Sequence, residues 1–98
     1  MKYKVEVRQQ VKGFIDTLAP ESRKKIRSGL RGLETERGDC IALKEKLDGF
    51  HRLRIGGYRV VYRYIPGKVI ECVFAESRGL VYHLFEREVL NRLRHEKK

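Results

Sequence analysis

The sequence has few acidic residues, few cysteines and no long apolar run. Its 98 residues include 13 Asp and Glu against 23 Lys and Arg, giving a formal net charge of +10. Cys40 and Cys72 form no CxxC pair and have no histidine cluster nearby, which argues against a zinc site. No apolar run is long enough to span a membrane, and charged residues recur where a signal peptide would be apolar. We therefore expect a cytoplasmic protein without metal or cofactor.

The excess of positive charge indicates a polyanionic partner. Nucleic acid is the commonest partner of a small basic domain with a pI near 10.0. An acidic protein and an anionic membrane surface fit the same charge, and a basic but inert surface is the plainest alternative. Which of these interpretations applies depends on whether the cations cluster on one surface of the fold.

The N-terminal part of the chain predicts a strand followed by a helical hairpin. Apolar residues recur with period two in the strand and at helical spacing in both helices: Tyr3, Val5 and Val7; Val11, Phe14, Ile15 and Leu18; Ile26, Leu30 and Leu33. Pro20 separates the helices and suits the first position of the second one. Gly38-Asp39 predicts an exit into a loop.

Three strands in succession are predicted for the rest of the chain, at 50–55, 58–65 and 69–75. Gly56-Gly57 and Pro66-Gly67 supply the turns between them, and a helical period returns from about Val81. The predicted order is β-α-α-β-β-β-α within one domain, 1–98. The expected fold class is α+β, an antiparallel sheet with a helical hairpin packed on one face and a C-terminal helix.

The cations of the second and third strands are predicted to share one face of the sheet. No acidic residue lies between Gly49 and Ile70, whereas five cations do: Arg52, Arg54, Arg59, Arg63 and Lys68. Strand parity places the four arginines on one face of a hairpin, which we call the arginine face. Burying four unpaired charges would be costly, so we expect this face to be open to solvent or filled by ligand. A phosphate-binding groove is the functional interpretation, and a solvated face with scattered ion pairs is the alternative.

The segment Gly57-Tyr58-Arg59-Val60-Val61-Tyr62 follows the basic strand Arg52-Leu53-Arg54-Ile55, and a third strand leads to Ser77-Arg78 and Val81-Tyr82. With the element order, these motifs resemble the RelE/ParE superfamily of bacterial toxins from type II toxin–antitoxin operons. The resemblance covers nearly the whole chain and implies a fold similar to small microbial ribonucleases.

The two branches of that superfamily imply different functions. The RelE-like branch, which we favour, implies a metal-independent endoribonuclease that cuts mRNA on the ribosome: the ribose 2′-OH attacks the adjacent phosphate and leaves a cyclic phosphate. The ParE-like branch implies a DNA gyrase inhibitor without nuclease activity. A toxin remnant that binds only its partner or operator DNA is a third possibility. All three imply an acidic, partly disordered antitoxin, and none implies a membrane partner.

The resemblance assigns roles to individual residues. Arg59 is expected to contact the scissile phosphate, Arg78 belongs to the loop after the last strand, and Tyr82 stacks on or orients the nucleotide. Arg52 and Arg54 match two basic positions of the family. With Arg63 and Lys68, which the charge pattern adds, they form the expected RNA-binding set: Arg52, Arg54, Arg63 and Lys68.

The general base is the open question, because Arg52 and Arg54 stand where the best-known RelE-type toxin has lysines. Arginine holds its proton far above neutral pH and is a poor base. His83 is therefore the first candidate base. His51 is the second, although its parity places it on the face opposite Arg52 and Arg54.

Overall fold

A computed structural model describes residues 2–77 and Arg87 of the chain. Apart from Arg87, the predicted C-terminal helix lies outside these residues, and so do Arg78, Tyr82 and His83. The described part contains five strands and two α-helices: β1 (Lys4–Val7), α1 (Gln9–Asp16), α2 (Pro20–Gly32), β2 (Asp39–Ala42), β3 (Phe50–Ile55), β4 (Tyr58–Ile65) and β5 (Val69–Ser77). Short 3₁₀ helices at Leu33–Thr35 and Glu45–Leu47 flank β2.

The strands form one sheet in the order β1-β5-β4-β3-β2. Strands β2 to β5 pair antiparallel, and β1 pairs parallel with β5 at the opposite edge. The predicted α+β class is confirmed. Strand β2 is an addition, because Gly38-Asp39 leads into an edge strand rather than a loop, and the β1–β5 pair makes the sheet mixed rather than wholly antiparallel.

Both helices pack against one face of the sheet, as the sequence predicted. Val11 and Ile15 of α1 and Ile26 and Leu30 of α2 are buried there. From the sheet they meet buried residues of β3, β4 and β5: Leu53, Val60, Tyr62, Ile70, Cys72 and Ala75. Removing an aliphatic side chain of this size from water contributes about 1.5–3 kcal/mol. This helix-covered core therefore stabilises the sheet from one side, and the arginines of β3 and β4 lie on the opposite face.

Local sequence features set the ends of α2 and its distance from the sheet. Pro20 occupies the first turn, where its missing N–H costs nothing, and Arg31 lies in the last turn, where a cation suits the helix dipole. Gly29 faces β3: a Cβ there would lie 2.5 Å from Cδ1 of Ile55. The glycine therefore lets the strand pack closely against the helix.

The hairpin between β3 and β4 has the predicted two-residue turn. Ile55 pairs with Tyr58 across Gly56-Gly57, and Gly56 adopts φ +57°, which a glycine tolerates without strain. This turn fixes the register of the two strands and so determines which side chains of β3 and β4 lie opposite one another.

Candidate nucleic-acid interface

The β3–β4 register builds the arginine face as predicted. Arg54 lies directly opposite Arg59, Arg52 lies opposite Val61, and Phe50 lies opposite Arg63. Because residues two apart on a strand share a face, all four arginines lie on the side of the sheet away from the helices. The Arg54–Arg59 pair belongs to a row of four residues across four strands. Asp39 of β2 pairs with Arg54 on one side, and Glu76 of β5 pairs with Arg59 on the other. The row therefore has a carboxylate at each end.

Asp39 neutralises part of the charge on β3. Its Oδ2 accepts a hydrogen bond from Nε of Arg54 at 2.7 Å and forms an ion pair with Nη2 of the same arginine at 2.6 Å. Its Oδ1 accepts one longer bond, 3.3 Å, from Nη2 of Arg52. One carboxylate against two guanidinium groups leaves a net positive charge at this corner of the arginine face, so an anion is still attracted to it.

Arg52 and Arg59 are more buried than the sequence suggested. The side chain of Arg52 is 11% exposed, and Arg59 is 9% exposed, whereas the side chain of Arg54 is 51% exposed. The expectation was a face open to solvent or filled by ligand. Arg54 is open to solvent, whereas Arg52 and Arg59 depart from the expectation because protein atoms largely cover them. Nη1 of Arg59 donates to the backbone carbonyls of Tyr58 and Gly56, at 3.2 and 3.4 Å, which anchors the guanidinium beside the turn.

Nε of Arg52 is buried and has no hydrogen-bond partner among the described residues. An unsatisfied buried donor costs about 1–3 kcal/mol, and more when the group is charged. A polar ligand group that reached this nitrogen would recover part of that cost.

A second arginine cluster surrounds Glu71 of β5. Its carboxylate accepts a 2.7 Å hydrogen bond from Nε of Arg63 and bonds from the guanidinium of Arg8, just beyond β1. Burial alone would raise the pKa of Glu71, but the hydrogen bonds and charges of Arg63 and Arg8 outweigh it, so the pKa lies below its ordinary value of 4.5. The Glu71 side chain is only 3% exposed, so the ionised carboxylate is closed to any large ligand.

Arg63 is fixed from two sides. Besides its bond to Glu71, its guanidinium carbon lies 5.6 Å from the centre of the Phe50 ring, within cation–π range. A small apolar cluster of Leu47, Val61, Val73 and Phe74 separates this corner from the Asp39 corner. The arginine face therefore has two charged corners rather than one continuous groove.

The structure places His51 and Lys68 away from Arg52, Arg54 and Arg59. The His51 ring stacks on Tyr62, with ring centres 5.3 Å apart, so it lies on the helix side of the sheet, as its parity predicted. Lys68 lies in the β4–β5 turn with φ +58°, and its carbonyl accepts a hydrogen bond from the backbone N–H of Lys4. That turn is at the opposite end of β4 from Arg59.

Sequence reasoning missed Asp39 and Glu71 as partners of the arginines. It considered acids only between Gly49 and Ile70, whereas both carboxylates come from strands that flank the hairpin. Glu71 had a detectable signal, because it is the only charge inside the apolar run of β5. Asp39 had none, because β2 was not recognised as a strand.

Among the described residues, no group of three or more histidine, cysteine or acidic side chains is placed to hold a metal ion. In the same part of the chain, no helix has the length and apolarity needed to cross a bilayer.

The fold is similar to solved toxin structures. A chain of the archaeal RelE–RelB complex from Pyrococcus horikoshii OT3 matches with a TM-score of 0.67 and 28% identity, over 81% of this chain and 98% of that one. A chain of the toxin–antitoxin complex RelBE2 from Mycobacterium tuberculosis matches with a TM-score of 0.71 and 22% identity, over 80% and 100%.

A mutant of the E. coli toxin RelE in the free state also matches, with a TM-score of 0.59 and 21% identity, over 88% of this chain and 94% of that one. No protein-family model matches the sequence, and neither does any curated protein. At these identities the likeness is mainly one of fold, and it agrees with the motifs on β3 and β4. The chain therefore has the fold of RelE-like toxins, and these similarities support the RelE-like toxin superfamily.

Proposed function

We propose that this protein is the toxin of a bacterial type II toxin–antitoxin system and that it cuts mRNA on the ribosome without a metal ion. The observation that carries the proposal is the juxtaposition of Arg52, Arg54 and Arg59 on adjacent strands. Their planar, permanently charged groups suit the phosphate of an RNA backbone and the extra negative charge of a phosphorane. The similar solved structures, which are toxins and toxin–antitoxin complexes, support the proposal.

Each arginine has a distinct part in this proposal. Arg54 is the most exposed of the three and makes the first contact with the RNA backbone. Arg59, directly opposite, contacts the scissile phosphate, and the buried Nε of Arg52 supplies a further donor. Arg63, tied to Glu71, adds positive charge at the other corner of the face. Arg78, Tyr82 and His83 complete the proposed site from outside the described residues.

The proposed partner is a cognate antitoxin with an acidic, partly disordered segment. The net charge of +10 favours such a segment electrostatically, and a segment that folds on binding covers a large surface. We propose that the toxin acts in the cytoplasm, where it would meet both antitoxin and ribosomes.

Inhibition of DNA gyrase is the second candidate function, and one observation favours it. Neither arginine of β3 is able to act as a base, and His51 lies on the helix side of the sheet. A protein that binds gyrase without chemistry needs no base at all. This candidate predicts DNA damage while translation continues.

The test is to add the purified protein to a translating cell-free extract and map mRNA 5′ ends. We expect cuts that require translation and disappear with Arg59→Ala. Since Arg59 is largely buried, Arg54→Gln serves as a second variant that leaves the core untouched. Intact mRNA and normal translation with the wild-type protein would reject the nuclease proposal, and a cleavage assay with purified gyrase would then test the alternative.

A further inference from the structure

Cleavage by attack of a 2′-OH needs a group that accepts the hydroxyl proton close to the cations that bind the phosphate. Among the described residues, the arginine face offers carboxylates for this task rather than histidine. Three of them pair across the sheet with its arginines: Asp39 with Arg54, Glu76 with Arg59, and Glu71 with Arg63. They differ in how far a ribose is able to reach them.

Glu71 is closed to substrate. Its side chain is 3% exposed, and both of its oxygens accept hydrogen bonds from arginines. Glu76 is more accessible, but Oε1 accepts the backbone N–H of Ser77 at 3.0 Å, and no described bond joins it to Arg52 or Arg54.

Asp39 combines access with contact to the phosphate-binding arginines. Its side chain is 44% exposed. Oδ2 is occupied by the hydrogen bond and the ion pair from Arg54, whereas Oδ1 has, among the described residues, only the 3.3 Å bond from Arg52. A carboxylate has about four lone-pair positions, so Oδ1 retains room for a hydroxyl donor. A phosphate held between Arg52 and Arg54 would bring its neighbouring ribose next to this oxygen.

We propose that Asp39 is the general base of the cleavage reaction, an inference that rests on the proposed nuclease function. Oδ1 takes the proton of the 2′-OH as the 2′ oxygen forms its bond to phosphorus. The bond from phosphorus to the 5′ oxygen breaks, and that oxygen leaves with the electron pair and takes a proton from water. Arg52 and Arg54 turn from Asp39 toward the phosphate as its negative charge grows.

Asp39→Asn separates this role from a structural one. The amide keeps the shape of the side chain and accepts no proton, so single-turnover cleavage of mRNA on ribosomes should fall by about 10²- to 10⁴-fold. Binding of an uncleavable RNA, with a 2′-deoxyribose at the cut position, should be as tight as for the wild type or tighter, because a negative charge has been removed. Asp39→Glu restores a carboxylate and should cleave faster than Asp39→Asn.

Glu76→Gln is the matched control, because it removes the other accessible carboxylate of the same row. It should retain cleavage within a few-fold of the wild type. Full cleavage by Asp39→Asn, or a larger loss in Glu76→Gln than in Asp39→Asn, would overturn the assignment. A loss in Asp39→Asn that is explained entirely by weaker RNA binding would overturn it as well. Absence of cleavage by the wild-type protein would instead reject the proposed function.

Discussion

Asp39 and Glu71 lie on the same face of the sheet, and each accepts hydrogen bonds from two arginines, yet their surroundings differ. The Glu71 side chain is 3% exposed and lies on β5, an interior strand of the sheet, whereas the Asp39 side chain is 44% exposed on the edge strand β2. The energy of a charge-assisted hydrogen bond depends strongly on access of water. The same chemical motif therefore stabilises the fold at Glu71 and remains available for exchange with a ligand at Asp39.

Glu71→Gln tests the structural half of this comparison and has the largest expected effect on stability. The substitution removes the charge that two arginines share in a buried setting. We expect the free energy of unfolding to fall by about 1.5–3 kcal/mol, the range for hydrogen bonds to charged groups. Urea denaturation at neutral pH measures this change. Unaltered stability would contradict a structural role for Glu71.

The pH dependence of stability sharpens the assignment to Glu71. Its pKa is lower in the folded protein than the ordinary value of 4.5, so the folded state binds fewer protons at this site than the unfolded state. The contribution of Glu71 is fully present above that value and is lost as pH falls through the lowered pKa. The stability difference between wild type and Glu71→Gln should therefore shrink at acid pH. A difference that stays constant from pH 7 downward would argue against the ionised carboxylate as its source.

Arg54→Gln tests whether the exposed arginine at Asp39 binds RNA phosphate, through the salt dependence of RNA affinity. Removing one phosphate contact should reduce the slope of log K against log salt by about 0.7 for single-stranded RNA. Filter binding of an uncleavable RNA across a salt series provides the measurement. Arg31→Gln, on the helix side of the sheet, is the charge-matched control and should leave a slope closer to that of the wild type. Equal slopes for both variants would mean that RNA binding is spread over the basic surface.

Asp39→Asn should have the smallest effect on stability. Its shorter ion pair, to Arg54, is about half exposed on both sides, and such pairs contribute little because water already solvates both charges. Its longer contact, 3.3 Å to Arg52, adds little to this. We expect a change within about 0.5 kcal/mol, measured in the same urea titrations as Glu71→Gln. A loss as large as that of Glu71→Gln would remove the distinction between the two carboxylates.

Much of the fold follows from the sequence because its signals are local. The helical spacing of Val11 and Ile15, the break at Pro20 and the Gly56-Gly57 turn are each confirmed at the predicted place. The turn also fixes the register, and the register places the four arginines on one face. That part of the candidate site was predictable because it depends on parity and one turn.

The rest depends on pairing between distant segments, which local patterns do not report. Strand β2 has four residues, and Ile41, its large apolar side chain, is 49% exposed, so it shows no alternation of buried and exposed positions. Its backbone pairing with β3 holds it in the sheet, and this pairing brings Asp39 to Arg54. The burial of Arg52 and Arg59 was unpredictable as well, because it too depends on segments that are distant in the sequence.

The two carboxylates therefore have different roles: Glu71 supports the fold, and Asp39 supports the chemistry. The most direct measurement is mRNA cleavage on ribosomes by Asp39→Asn and Glu71→Gln, side by side, at a temperature where both are folded by circular dichroism. We expect folded Glu71→Gln to cleave close to the wild-type rate and Asp39→Asn to lose cleavage by about 10²-fold or more. Cleavage retained by Asp39→Asn and lost by folded Glu71→Gln would contradict this assignment of roles.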